Sequence, residues 1–166
     1  YERGPDDGLL SYDGVEDSVH AAGVTCFSGG GGLLSTARDY QRFAEMLRGG
    51  GALGDVRILG PRTVSFMASN HMPGGVDLAA MGQPVFSETS YEGIGFGLGV
   101  SVVLDPAHAQ VLTSKGEYAW GDIASTAFWI DPEQDMSVLF LTQLVPSSSY
   151  PIRRELRVLA SQAIVA

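Results

Sequence analysis

The chain has 166 residues, enough for one ordinary domain with a buried core, and its 45% hydrophobic and 17% charged content is a globular composition. Ten Lys and Arg against 19 Asp and Glu give a formal net charge of -9, and with no basic patch a nucleic-acid interface is not expected. No apolar run approaches the roughly 18 residues that a membrane helix requires, and the single cysteine, Cys26, excludes an intrachain disulfide while leaving the compartment open.

Residues 1–24 are rich in Asp and Gly, carry no clear period and are expected to be irregular. Glycines 29–32 allow a tight turn. Thr36 then reads as a helix N-cap, with Asp39 completing an acidic variant of the capping box. The helix that follows should turn Tyr40, Phe43, Ala44 and Leu47 inward and stop at Gly49. Pro61 opens a second, short helix with Val64 and Met67 inward. Residues 70–92, with Pro73, Gly74, Gly75, Gly82 and Pro84, read as a loop over the rim of a site.

Gly93, Gly95, Gly97 and Gly99 alternate with Ile94, Phe96, Leu98 and Val100, so a strand here has one face of glycines. Either a packed helix or a ligand can approach such a face. Residues 116–132 supply the next strand, whose small residues mark a place where something comes close to the backbone, as at one wall of a ligand site. After a loop at 131–135, residues 136–143 return as a third strand. Its 137–141 stretch is apolar on both faces and is expected inside a covered sheet. Pro151 opens a last helix with Ile152, Leu156, Leu159, Ala160, Ala163 and Ile164 inward and Arg153, Arg154 and Arg157 on a solvated face. The expected class is α+β: a three-stranded antiparallel meander with helices packed on it.

Most chemical signatures fail. His20, His71 and His108 are far apart, without His or Cys at metal-ligand spacing, and read as surface or capping residues; no metal or cofactor is expected. There is no G-x-S-x-G elbow, dinucleotide fingerprint or P-loop. Cys26, in apolar company, reads as a buried inert thiol. The pairs Asp6-Asp7 and Glu16-Asp17 read as solvated turn residues.

Three stretches carry a resemblance. They are Ser28-Gly29-Gly30-Gly31-Gly32-Leu33-Leu34-Ser35-Thr36-Ala37-Arg38-Asp39-Tyr40, then Tyr91-Glu92-Gly93-Ile94-Gly95-Phe96-Gly97-Leu98-Gly99-Val100, then residues 116–132 with Thr142-Gln143 beyond. In order and spacing they resemble the serine β-lactamase and penicillin-binding-protein superfamily, in particular class C-like β-lactamases and family VIII carboxylesterases. Trp120-Gly121-Asp122 stands where that family has Lys-Thr-Gly or, in many esterases, Trp-Gly-Gly. The resemblance implies that Trp120 lines the acyl or alcohol pocket; an ordinary core aromatic is the other reading. It further implies that Gly121 keeps the strand low beneath the substrate, that Tyr118 and Asp122 belong to the substrate-binding set, and that the Ile123 N–H is one of two oxyanion-hole donors.

Asp122 departs from the usual glycine: its carboxylate either turns away from the hole, alters substrate preference or lowers activity. The family's Ser-x-x-Lys is absent, since Leu112 stands three residues before Lys115, the only lysine. No tyrosine begins Tyr-x-Asn or Tyr-x-Ser. Residues 1–166 are therefore expected to be the C-terminal part of a β-lactamase-like domain, cut from something longer and inactive alone. The whole would be a serine hydrolase acting on a small-molecule ester, amide or β-lactam through an acyl-serine intermediate. The alternative is a non-catalytic binding or interaction module. In the family, strands from the N-terminal end complete the sheet, so the chain is expected to pair with that segment or to self-associate.

Overall fold

The computed structural model describes every residue except 15, 17, 19–22, 24, 82–89 and 166, so the expectations for Asp17, His20, Gly82 and Pro84 fall outside the described residues. A two-residue hairpin, β1 (Glu2–Arg3) with β2 (Leu9–Leu10), opens the chain, and Arg3 pairs with Asp7 across it. Thr36 caps α1 (Ala37–Arg48): its hydroxyl oxygen accepts the Asp39 N–H at 3.1 Å and its O–H donates to the Asp39 carboxylate at 2.8 Å. Ala44, Met46 and Leu47 of α1 are buried, whereas Phe43 stays largely exposed. A hairpin of β3 (Ala52–Leu53) and β4 (Val56–Arg57) leads to α2 (Pro61–Met67), which starts at its proline.

The main sheet is fully antiparallel and runs in sequence order: β5 (Ile94–Phe96), β6 (Ser101–Val103), β7 (Tyr118–Gly121), β8 (Ala127–Asp131) and β9 (Met136–Phe140). A short α3 (Pro106–Ala109), capped by Asp105, interrupts the path from β6 to β7, and α4 (Ile152–Gln162) follows β9. The fold is α+β as expected, with five strands rather than three. Both extra strands come from reversals that an apolar pattern conceals. The glycine-alternating stretch turns back after β5, with Gly97 N–H donating to Val100 O at 2.7 Å and Gly99 at φ 90°. Residues 116–132 are likewise a hairpin of β7 and β8 rather than one strand.

Of the two readings of the glycine face, packing against a helix holds at Gly97, which meets the last residue of α2, whereas Gly95 meets the segment just after that helix. A Cβ on Gly97 would lie 2.0 Å from the Met67 carbonyl oxygen at the end of α2, and one on Gly95 would lie 2.5 Å from the Asn70 side chain. That close approach is used: Leu98 N–H donates to Met67 O, and Phe96 N–H to Asn70 Oδ1.

The core lies between α1 and the sheet, where Val102, Tyr118, Phe128 and Ile130 meet Ala44, Met46, Leu47 and Val64. On the opposite sheet face, buried Trp129 lies under the Arg157 guanidinium of α4, 5.0 Å from it. Two expectations about coverage do not hold. β9 is only half-buried and borders β8 alone, since α1 covers just one side of it. In α4 no described residue is fully buried, and Leu159 and Ile164 are exposed, because that helix meets the sheet through arginines.

Gly97→Ala is expected to cost about 3 kcal/mol, since the new methyl meets a carbonyl that cannot retreat without shifting α2; the midpoint of urea unfolding reads this. Tyr118, at 4% exposure, has its phenol pushed up to about 12 by burial. The folded state then keeps a proton that the unfolded chain loses above about pH 10, so stability falls as pH rises from about 10 to 12, by about 3 kcal/mol in total. Tyr118→Phe is expected to remove that part of the alkaline slope, measured by unfolding free energy against pH.

Candidate active site

The β7–β8 hairpin holds the residues singled out in the sequence. Its register pairs Tyr118 with Ile130, Ala119 with Trp129, Trp120 with Phe128 and Gly121 with Ala127. Alternation sends Tyr118 and Trp120 to the α1 face and Ala119 and Gly121 to the α4 face. Trp120 is 40% exposed and meets Phe96 edge-on with ring centres 5.0 Å apart. Behind it Phe128 packs against Tyr40 and Phe43 of α1. Tyr118 is core, and it lines neither of the two cavities beside the hairpin.

Residues 122–126 form the connecting turn, and most of its amides are committed. Asp122 N–H donates to Thr126 O at 3.1 Å, Ala124 N–H to Asp122 Oδ1 at 2.5 Å, and Ser125 N–H to Asp122 O at 3.2 Å. Asp122 thus makes an Asx turn with its own side chain. Among the described residues the Ile123 N–H has no acceptor, and Ile123 is 65% exposed. Ser125 sits in the left-handed region at φ 68°, buried, with its hydroxyl donating to Leu144 O at 2.6 Å, while Leu144 N–H returns to Ala124 O at 3.0 Å. The turn is therefore tied on one flank to the strand that leaves β9.

The other flank is tied to α4. Arg153 Nη2 donates to Asp122 O at 2.5 Å and to Thr126 O at 3.0 Å. A Cβ on Gly121 would lie 2.7 Å from both Arg153 Cζ and the Thr126 carbonyl oxygen, so an arginine and the backbone of the turn itself come close to this glycine. One turn further, Arg157 Nε donates to Glu117 Oε1 at 3.0 Å, and the Thr113 hydroxyl donates to Glu117 Oε2 at 2.6 Å. Burial holds the Glu117 carboxyl above the usual range, and Arg157 and Thr113 pull against that shift. Arg154 donates to Gln110 O. Arg153 and Arg157 are thus half-buried against the sheet rather than on a solvated face, whereas Arg154 is exposed as expected. The sequence does carry a signal for two of them: Arg153 and Arg157 are four apart, on one side of a helix, opposite a strand with a glycine.

A cavity of about 140 Å³ opens on the α1 face, lined by Tyr40, Trp120, Asp122, Thr126, Phe128 and Leu141 among others. Burial, and secondly the Asp122 charge, raise the Tyr40 phenol above its ordinary value. A second cavity of about 80 Å³ lies towards α4, bordered by Ser101, Glu117, Ala119, Arg153 and Arg157, and Trp120 and Gly121 border both. The hairpin thus brings Trp120, Gly121 and Asp122 to the α1-face cavity, leaves Tyr118 behind them, and puts Ile123 at the exposed tip of the turn, outside the lining of both cavities. Elsewhere, His71 Nε2 lies 2.7 Å from Phe66 O at the surface, and His108 ends α3. Cys26 is exposed, not buried, since no described residue packs over the stretch before α1. Among the described residues no group of three His, Cys, Asp or Glu could hold a metal ion, and no helix is long and apolar enough to cross a membrane.

Comparison with known proteins bears on the whole chain. Protein Rv1367c of Mycobacterium tuberculosis (strain ATCC 25618 / H37Rv) is 35% identical over 134 residues, which are 78% of this chain and 32% of that protein. The uncharacterized protein MT1414 of strain CDC 1551 / Oshkosh matches to the same extent. The chain spans about a third of the length of these curated relatives. Among solved structures, EstCE1, described as a hydrolase with promiscuous acyltransferase activity, superposes with a TM-score of 0.66 at 27% identity, over 86% of this chain and 34% of that one. The simvastatin synthase LovD from Aspergillus terreus superposes with a TM-score of 0.69 at 24% identity, over 99% of this chain and 42% of that one, a likeness of fold. The Beta-lactamase family model matches residues 1–162, and the chain belongs to that family.

Proposed function

We propose that the β7–β8 hairpin is one wall of the acyl site of a serine hydrolase, with the Ile123 N–H as one of its two oxyanion donors and Trp120 against the acyl or alcohol group. The observation that carries this reading is the exposed Ile123 amide, without an acceptor among the described residues, between the engaged amides of Asp122 and Ala124. A fixed N–H aimed at a developing oxyanion lowers the barrier by about 3 kcal/mol, because it needs no reorganisation as charge forms. Gly121 and Asp122 shape the strand end, where the Ala124 N–H engages Asp122 Oδ1 and turns that oxygen towards the turn.

The substrate class is a small-molecule ester rather than a β-lactam. Trp120 stands where a family lysine would help to hold the β-lactam carboxylate, and the hydrolase EstCE1 shares the fold at 27% identity. The attacking serine belongs to a Ser-x-x-Lys segment outside these 166 residues, and the isolated chain is inactive.

Two tests follow. In the protein carrying that segment, replacing the Ile123 N–H by an ester oxygen is expected to lower kcat on p-nitrophenyl esters by about 10²–10³. Absence of turnover and of fluorophosphonate labelling in that protein would favour a non-catalytic binding module. Hydrolysis by the isolated chain, lost on mutating one of its own serines, would overturn the placement of the nucleophile. The second test concerns β9, whose outer edge is unpaired among the described residues until Glu2 bridges Val145 beyond its end. An open edge invites pairing, so the isolated chain is expected to self-associate or to bind the complementary segment. Light scattering that shows a monomer at high concentration would contradict this.

A further inference from the structure

The Asp122 carbonyl and the Ile123 N–H belong to one peptide unit. In a planar trans peptide these two groups point in opposite directions. Arg153 holds the carbonyl end, at 2.5 Å, from the α4 side. The same Nη2 holds Thr126 O at 3.0 Å, the carbonyl that closes the turn by accepting Asp122 N–H. One guanidinium nitrogen therefore grips both ends of a five-residue turn, and its two N–H groups have directions fixed by the guanidinium plane.

We infer that Arg153 is a positioning residue for the oxyanion hole: by holding the Asp122 carbonyl towards α4, it aims the Ile123 N–H away from α4 and keeps that peptide from rotating. The inference rests on the proposed role of Ile123. Arg153 also polarises the peptide it holds, so the amide at the far end is a stronger donor than in an unheld turn. Its contact with the reaction is through the peptide only, and it touches no substrate.

The test uses the complete protein with its nucleophile, p-nitrophenyl esters and five variants. Arg153→Met is expected to lower kcat ten- to hundredfold with KM within about twofold, since ground-state binding to the Trp120 wall is intact. Arg153→Lys, which keeps one donor nitrogen but on a shorter stem and without a fixed plane, is expected to recover part of the loss. Added guanidinium is expected to restore part of the activity of Arg153→Ala, a response that a general loss of packing would not show. With the Ile123 ester already in place, Arg153→Met is expected to cost less than threefold more, as both changes remove one donor. Circular dichroism shows which variants are folded, and Arg153→Lys serves if the Met and Ala forms are not. If the Ile123 ester alone leaves kcat unchanged, the oxyanion reading fails. If that ester costs activity while folded Arg153 variants keep the parent kcat, or if the two losses simply multiply, the positioning role fails and the oxyanion reading stands.

Discussion

The geometry of this site turns on one planar peptide, the one between Asp122 and Ile123. Every other polar group in the turn acts on it. The Asp122 side chain closes the turn onto Ala124, Ser125 anchors the turn to Leu144, and Arg153 takes the carbonyl. The Ile123 amide is left at the exposed tip of the turn, held in place before any substrate arrives, which is the form of preorganisation that makes a backbone donor useful. Asp122 is explained on the same terms. It is a turn-forming residue in a place where glycine would leave the turn freer.

The two faces of the sheet support that peptide by different means. Towards α1 the contact is apolar, with Tyr118, Phe128 and Ile130 against the helix, and it holds β7 and β8 at a set height. Towards α4 it is ionic and directional: Arg153 on carbonyls, Arg157 on Glu117 and over Trp129. A nearly buried ion pair adds little net stability, because desolvation offsets its attraction. Its use here is to fix the register of the helix against the strand, and with it the place of Arg153 one turn earlier.

Local chemistry made much of this legible. Thr36 with Asp39 marks a helix start by a mechanism that needs no tertiary context, and Pro61 does the same for α2. The glycine alternation correctly announced a close neighbour for Gly95 and Gly97, because a missing Cβ reports contact whatever makes it. The reversals were hidden for an equally local reason. The turn in residues 122–126 places a serine, not a glycine, at positive φ, and buried hydrogen bonds rather than composition hold it there. The arginines of α4 were hidden because helical periodicity reports where apolar residues fall, and the sheet face opposite presents carbonyls and a carboxylate that attract charge instead. Cys26 misled through its neighbours, for an apolar stretch is buried only where something covers it.

Gly121 has a consequence for how such sites diverge. In the Lys-Thr-Gly form of the family motif the middle residue is branched at Cβ, and a Cβ at position 121 would stand 2.7 Å from the Arg153 guanidinium carbon. The same Cβ would stand 2.7 Å from the Thr126 carbonyl oxygen, which closes the turn. The end of an arginine can swing aside, whereas that backbone oxygen cannot move without opening its hydrogen bond from Asp122 N–H. A side chain at position 121 therefore asks for a differently built turn, and a library that varies this position alone would sample mostly broken turns.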